Sequence, residues 1–177
     1  MTGHLFLVVG ASGVGKDTLL AGAKAADPTL HWARRVITRP STDTGEPFEG
    51  VTPPEFQQRL AADEFALHWQ AHGLSYGVPK REVASLSEGG TVLVNGSRGA
   101  LTAALTAFPD LTVIRISAPS DVLAERLAAR GRETRAEITA RLDRASYELP
   151  EGTRVVDIRN TGTPAQGVAQ LLQALRE

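Results

Sequence analysis

The chain has no cysteine, which excludes disulfides, thiol nucleophiles and cysteine-ligated zinc together. Lysine is scarce: of 19 basic side chains only Lys16, Lys24 and Lys80 are lysines. Arginine position, not arginine count, is therefore the informative signal. The net charge is −1 and the pI about 6.4, so no global basic field exists. A main role in nonspecific binding to nucleic acid or an anionic membrane is not expected. The four histidines, His4, His31, His68 and His72, show no metal-ligand spacing. The first apolar run, Leu5 to Val9, is too short for a signal or membrane helix and leads straight into glycines. The expected location is the cytoplasm.

What is present is a chain of 177 residues, 42% apolar, enough to bury a core and fitting one α/β domain with room for a lid. Leu5–Val9 has the continuous apolar character of a strand buried on both faces of a parallel sheet. A helix is expected from Lys16 to about Ala26, stopped by Asp27-Pro28, and a strand over Ala33–Ile37. Thr38 to Pro54 is polar and rich in proline and glycine, and is expected to be a mobile insertion. A short helix near Pro54–Ala62 and a strand around Phe65–Gln70 follow. Thr91–Val94, Leu111–Ile116 and Val155–Ile158 are expected strands, with a helix over Arg98–Phe108. Ser120 can cap a helix ended by Gly131, and Thr134-Arg135-Ala136-Glu137 is a capping box opening another. Thr163-Pro164 starts a last helix whose apolar face is Val168, Leu171, Leu172 and Leu175. This alternation predicts a three-layer α/β fold around a mainly parallel sheet.

Gly10-Ala11-Ser12-Gly13-Val14-Gly15-Lys16 fits G-x-x-x-x-G-K, directly after a buried strand and directly before a helix. Backbone N–H groups of such a loop turn inward around phosphates, and the helix N-terminus adds its positive end. Lys16 is expected to bridge the β- and γ-phosphates of a nucleotide. The motif departs from the general form at Asp17, where Ser or Thr is usual; the hydroxyl comes one place later at Thr18. Thr18 is the candidate magnesium ligand, with Asp17 acting through water as the alternative. Asp17 could equally be a first-turn acid favoured by the helix dipole. The strand Thr91–Val94 ends in Asn95 instead of an acid, so the metal is expected to be held mostly by phosphates and water.

Arg126, Arg130, Arg132, Arg135, Arg141 and Arg144 lie close together in the chain, and two helices meeting at Gly131 could aim several of them at one point. Phosphoryl transfer needs such cations, because charge spreads over the oxygens of the moving group. Solvated helix surface paired with Glu125, Glu133, Glu137 and Asp143 is the plainer alternative.

Beyond the loop, Thr38-Arg39-Pro40, Gly45-Glu46, Glu55-Phe56, Phe65, His72-Gly73, Tyr76-Gly77, Arg130-Gly131 and Arg141-Leu142 resemble the guanylate-kinase group of nucleoside-monophosphate-kinase-like enzymes over nearly the whole chain. The resemblance implies a P-loop core (1–37, 81–129, 146–177), an acceptor-binding insertion (38–80) and an arginine lid (130–145). By position, Arg39 and Tyr76 would hold the acceptor phosphate, with Arg35 behind them, and Arg130, Arg132 and Arg141 would close on the transferred group. The base-reading positions depart from the group. Phe65-Ala66-Leu67-His68-Trp69 carries no acid, the insertion tyrosine is Phe48, and Val94-Asn95-Gly96-Ser97-Arg98 replaces an acidic strand end.

Gly-Lys-Asp-Thr, Ile-Thr-Arg-Pro, Tyr-Gly-Val and above all Asn95-Gly96-Ser97-Arg98 resemble ribose 1,5-bisphosphate phosphokinases within that group. That resemblance implies an ATP- and Mg²⁺-dependent kinase of phosphonate breakdown whose acceptor is a small phosphorylated sugar and whose product is phosphoribosyl diphosphate. Asn95, Ser97 and Arg98 would then contact the acceptor, Arg98 meeting the 5-phosphate with Lys80 and His72 behind it. A nucleoside-monophosphate kinase such as guanylate kinase is the nearest alternative. A guanylate-kinase-like binding module without activity is a distant one. His68 and Trp69 are expected to pack structurally rather than stack on a base. Asn160-Thr161-Gly162 lies where the group places part of the adenine site, or is a simple turn and cap.

Overall fold

The computed structural model describes residues 3–10, 14–40, 47–71, 73–119 and 149–176. In chain order its first half contains β1 (His4–Gly10), α1 (Lys16–Ala26), β2 (His31–Trp32), β3 (Arg35–Ile37), β4 (Phe48–Gly50) and α2 (Pro53–Ala61). Then come β5 (Phe65–Ala71), β6 (Leu74–Pro79), a 3₁₀ segment (Lys80–Glu88), β7 (Thr91–Asn95) and a short 3₁₀ turn (Arg98–Ala100). The described chain closes with α3 (Leu101–Ala107), β8 (Thr112–Ser117), β9 (Arg154–Arg159) and α4 (Pro164–Ala174).

Five strands form a parallel sheet in the order β2-β7-β1-β8-β9, with β1 at its centre. The period of two in β1 sorts its apolar run onto two faces. Leu5, Leu7 and Val9 pack towards α3 and the second sheet, whereas Phe6 and Val8 pack with Leu19, Leu20 and Ala23 of α1 and Leu171 of α4. This double burial, about 1.5–3 kcal/mol for each large apolar side chain, is why the strand needs no polar face. α4 begins where expected: Thr163 and Gln166 form a capping box, with Pro164 in the first turn. The three-layer α/β arrangement around a parallel sheet is thus present.

The stretch expected as one strand over Ala33–Ile37 is divided between two sheets. Ala33 N–H still donates to Leu93 O at 2.9 Å, extending the β2 pairing, but Arg35–Ile37 leaves to pair with β4 and β6. The second sheet runs β4-β3-β6-β5, with β3 parallel to β4 and antiparallel to β6. Within the stretch expected as a mobile insertion, Phe48–Gly50 forms β4 and Pro53 opens α2, while residues 41–46 lie outside the described residues. Thr52 caps α2, and Phe56 stacks on Phe65 at 4.8 Å beneath the sheet's outer face. The inner face, with Phe48, Leu67, Trp69 and Tyr76, joins the core of the parallel sheet.

An ionic network ties α2 to β4: the Arg59 guanidinium donates to Glu49 and, at 3.0 Å, to Glu55. The hydrogen bond from Arg59 holds the Glu49 carboxyl below its ordinary value of 4.5, against the opposing effect of burial. A depressed folded-state value stabilises the protein above the unfolded value, and that contribution is lost as pH falls through the lower folded value. Urea unfolding followed by circular dichroism should therefore show a decline below about pH 4.5 that is shallower in Arg59→Met. The variant should lose about 0.5–1 kcal/mol at neutral pH. An identical acid profile in both proteins would contradict this role for the pair.

Candidate active site

The strand-to-helix turn at the carboxyl edge of the parallel sheet is the natural ligand crevice of an open α/β sheet. Gly10 ends β1 so close to β8 that a Cβ there would lie 2.6 Å from Ile116 O. Ala11, Ser12 and Gly13 lie outside the described residues. Val14 is buried, and Gly15 enters α1 with φ of 94°, a left-handed conformation that a side chain would strain. Gly15 offers α1 no side-chain cap. A helix start not capped by the side chain of its own N-cap residue is the kind that receives an anion.

Four long-range hydrogen bonds hold this turn and its support. Asn160, only 7% exposed, takes its backbone from β8 by donating N–H to Ser117 O at 2.7 Å. Its side-chain amide donates to Val14 O at 2.8 Å, bracing the loop from beneath. Lys16 Nζ donates to Gly96 O at 3.3 Å, and Asn95 Nδ2 donates to Asp17 Oδ1 at 3.0 Å. Two consecutive residues of the loop–helix junction thus grip two consecutive residues at the end of β7. Asp17 and Thr18 are both exposed on the first turn of the helix. The bracing role of Asn160 was not foreseen; its only trace in the sequence is a polar residue at the end of the last strand, just before the helix cap.

Against the exit of β7 lies the inner face of the second sheet. Arg35 is 8% exposed with its guanidinium 5.1 Å from the Tyr76 ring centroid, and Tyr76 stacks on Trp69 at 5.4 Å and 4°. Arg39 lies exposed over the Phe48 ring at 4.5 Å. Phe48 is in register with Arg35, and Leu67 belongs to the same buried cluster. Arginine, tyrosine and an apolar wall are therefore gathered on one face. The exit of β7 packs against this face: a Cβ at Gly99 would meet Gln70 O at 3.0 Å and Trp69 Cδ1 at 3.7 Å. Ser97 Oγ and Trp69 Nε1 are buried there without a hydrogen-bond partner.

Trp69 is core, as expected, whereas His68, expected to pack with it, is exposed, because alternate strand positions face opposite ways. The Lys80 ammonium pairs with Asp63 at 2.7 Å on an exposed edge. The backbone of Arg98 opens the short 3₁₀ turn, but its side chain lies outside the described residues. His72 and the whole arginine cluster, Arg126, Arg130, Arg132, Arg135, Arg141 and Arg144, also lie outside them. Among the described residues no cluster of three or more metal-ligating side chains occurs, and no helix is long and apolar enough to cross a membrane.

No family model matches the chain. Whole-chain relatives do. It is 49% identical over 179 residues to a ribose 1,5-bisphosphate phosphokinase of Ruegeria sp. (strain TM1040), covering 98% of this chain and 94% of that protein. A ribose 1,5-bisphosphate phosphokinase of Desulfomicrobium baculatum is 44% identical over 165 residues, covering 92% and 88%. A bifunctional ribose 1,5-bisphosphokinase-thymidine phosphorylase of Cupriavidus necator is 44% identical, with 99% of this chain matched to 29% of that longer protein. Among solved structures, a guanylate kinase from Anaplasma phagocytophilum superposes with a TM-score of 0.70 at 19% identity, covering 99% of this chain and 85% of that one. A sugar kinase from Janibacter sp. HTCC2649 gives 0.56 at 15% identity, over 98% and 95%. At such identities these two structures establish the fold alone.

Asn160→Leu tests the brace under the loop. Losing a buried donor to Val14 O costs about 1–3 kcal/mol, so affinity for ADP should fall about 10-fold along with the melting temperature. Unchanged ADP affinity, read by calorimetric titration, would show that the loop holds its shape without Asn160.

Proposed function

From its place in the ribose 1,5-bisphosphate phosphokinase family, to which this chain belongs, we infer that it transfers the γ-phosphate of ATP to ribose 1,5-bisphosphate, forming 5-phosphoribosyl 1-diphosphate. The observation that carries the choice of acceptor is the apolar wall of Phe48 and Leu67, buried beside Arg35 and Tyr76. A pocket that recognises a base must hydrogen-bond its edge, and apolar side chains at those positions forfeit that discrimination. Phosphate-binding groups without base-reading groups suit a sugar bisphosphate better than a nucleoside monophosphate.

In this assignment, Lys16 and the amides of Gly10 to Thr18 hold the donor phosphates. Arg39, Tyr76 and Arg35 orient the acceptor, and Asn95, Ser97 and Arg98 meet its sugar and 5-phosphate. Ser97 Oγ, buried without a protein partner, is a donor available for that purpose. The attacking atom is an oxygen of the 1-phosphate, already an anion, so no general base is required. A new P–O bond forms at the γ-phosphorus as its bond to the β-bridging oxygen breaks, and ADP leaves with that electron pair. Arg130, Arg132 and Arg141 neutralise charge on the moving group, closing from a lid that spans 130–145 over an acceptor-binding part at 38–80. Mg²⁺, when bound, screens the phosphate oxygens; Asp17 and Thr18 supply oxygen atoms of the hard type it prefers. The reaction belongs in the cytoplasm, in the breakdown of phosphonates.

Coupled ADP release with ATP and Mg²⁺ should be fast with ribose 1,5-bisphosphate and slow with equal concentrations of GMP, AMP or dGMP. Preference for GMP would overturn the assignment of the acceptor. Arg98→Ala should raise the KM for the sugar bisphosphate about 10- to 100-fold, the worth of a charge-assisted hydrogen bond, with the ATP KM little changed. Equal effects on both would remove Arg98 from the acceptor site.

A further inference from the structure

We propose that Asp17 is the metal-facing carboxylate of this enzyme and Asn95 its positioning residue, acid and partner having exchanged places across the phosphate loop. The proposal rests on the preceding assignment only in requiring Mg²⁺ on a nucleotide held by the loop. In the usual arrangement a hydroxyl follows the loop lysine and an acid from a neighbouring strand completes the metal site. Here an acid follows Lys16, and the adjacent strand β7 ends in an amide. The two side chains still meet: Asn95 Nδ2 donates to Asp17 Oδ1 at 3.0 Å across 78 positions of sequence. The contact across the loop is kept while the negative charge moves from the strand to the helix.

Several features make the exchange chemically sound. Asn95 is 4% exposed at the end of a central strand, so its amide is a fixed anchor. An ionised carboxylate accepts at about four positions, so one bond from Asn95 orients Asp17 without consuming it. The first turn of a helix favours a negative side chain. Lys16, which reaches Gly96 O, and Asp17, which meets Asn95, hold the same strand end, bringing cation and anion to one place beside the start of the helix. Successive helix positions are turned by about 100°. When Asp17 faces β7, Thr18 is carried round the helix; both side chains are exposed, and it is Asp17 that is tied to the strand end, by Asn95. The carboxylate, directly or through one bound water, is therefore better placed for the metal than the hydroxyl.

The test needs no acceptor and no turnover, so it succeeds or fails independently of which sugar or nucleotide is phosphorylated. ADP affinity is measured by calorimetric titration with and without Mg²⁺, and the ratio gives the metal coupling. Asp17→Asn should lower that ratio at least 5-fold, while metal-free ADP binding stays equal or tightens through loss of a like charge. Thr18→Val should change the ratio less than 2-fold. The exchange variant D17S/N95D, which restores the usual polarity, should recover most of the coupling; Asn95→Asp alone, with two facing carboxylates, should not improve it. Metal-free ADP binding serves as the check on folding, and if Asp17→Asn fails that check, the exchange variant decides. Loss of coupling in Thr18→Val with retention in Asp17→Asn would overturn the proposal. Failure of D17S/N95D to recover coupling would overturn the role given to Asn95.

Discussion

Everything functional here depends on one reversal of chain direction, where a strand buried on both faces must become a helix within a few residues. The left-handed Gly15 makes that turn and leaves the first amides of α1 without a side-chain cap. An uncapped helix start beside a buried strand is costly unless something fills it, and a phosphate is the filler that suits both the amides and the dipole. The protein therefore invests polar contacts in keeping this turn in place. Asn160 supports it from just beyond β9, and the end of β7 holds Lys16 and Asp17.

The end of β7 also joins the start of α1 to the second sheet. Asn95 and Gly96 engage Asp17 and Lys16, and three residues on Gly99 lies against Trp69 and Gln70 of the second sheet. One short run of backbone thus fixes the distance between the phosphate loop and the Arg35–Tyr76 face. In-line transfer demands such a fixed separation, because positioning supplies most of the rate when the protein performs little covalent chemistry. In the proposed assignment Arg35 and Arg39 offer a phosphate their cations, while the apolar wall of Phe48 and Leu67 offers a base edge nothing to pair with.

How much of this could be read beforehand followed the range of the interaction. The parallel core was legible because Leu5–Val9 is apolar at every position, and a strand with no polar face has to be covered twice. The last helix was legible because its cap and its apolar stripe are local. The second sheet was largely missed. β4 is a three-residue strand, and the proline- and glycine-bearing stretch around it resembles a loop until β3 is seen to pair with it. The division of 31–37 between two sheets was hidden for the same reason, since pairing partners, not propensity, decide where each strand goes. In the site, the phosphate loop and the Asp17 and Asn95 departures were visible from spacing alone. That the two departures touch, and that Asn160 braces Val14, became visible only when residues 78 and 146 positions apart were brought together.

A competition experiment followed by ³¹P resonance tests the account most directly. The enzyme is given ATP and Mg²⁺ with ribose 1,5-bisphosphate and GMP present together at equal concentration. The expected spectrum gains the paired diphosphate signals of a sugar substituted at carbon 1, while the GMP resonance stays unchanged. Conversion of GMP to GDP with the sugar bisphosphate untouched would contradict the reading of Phe48 and Leu67 as a wall that turns bases away.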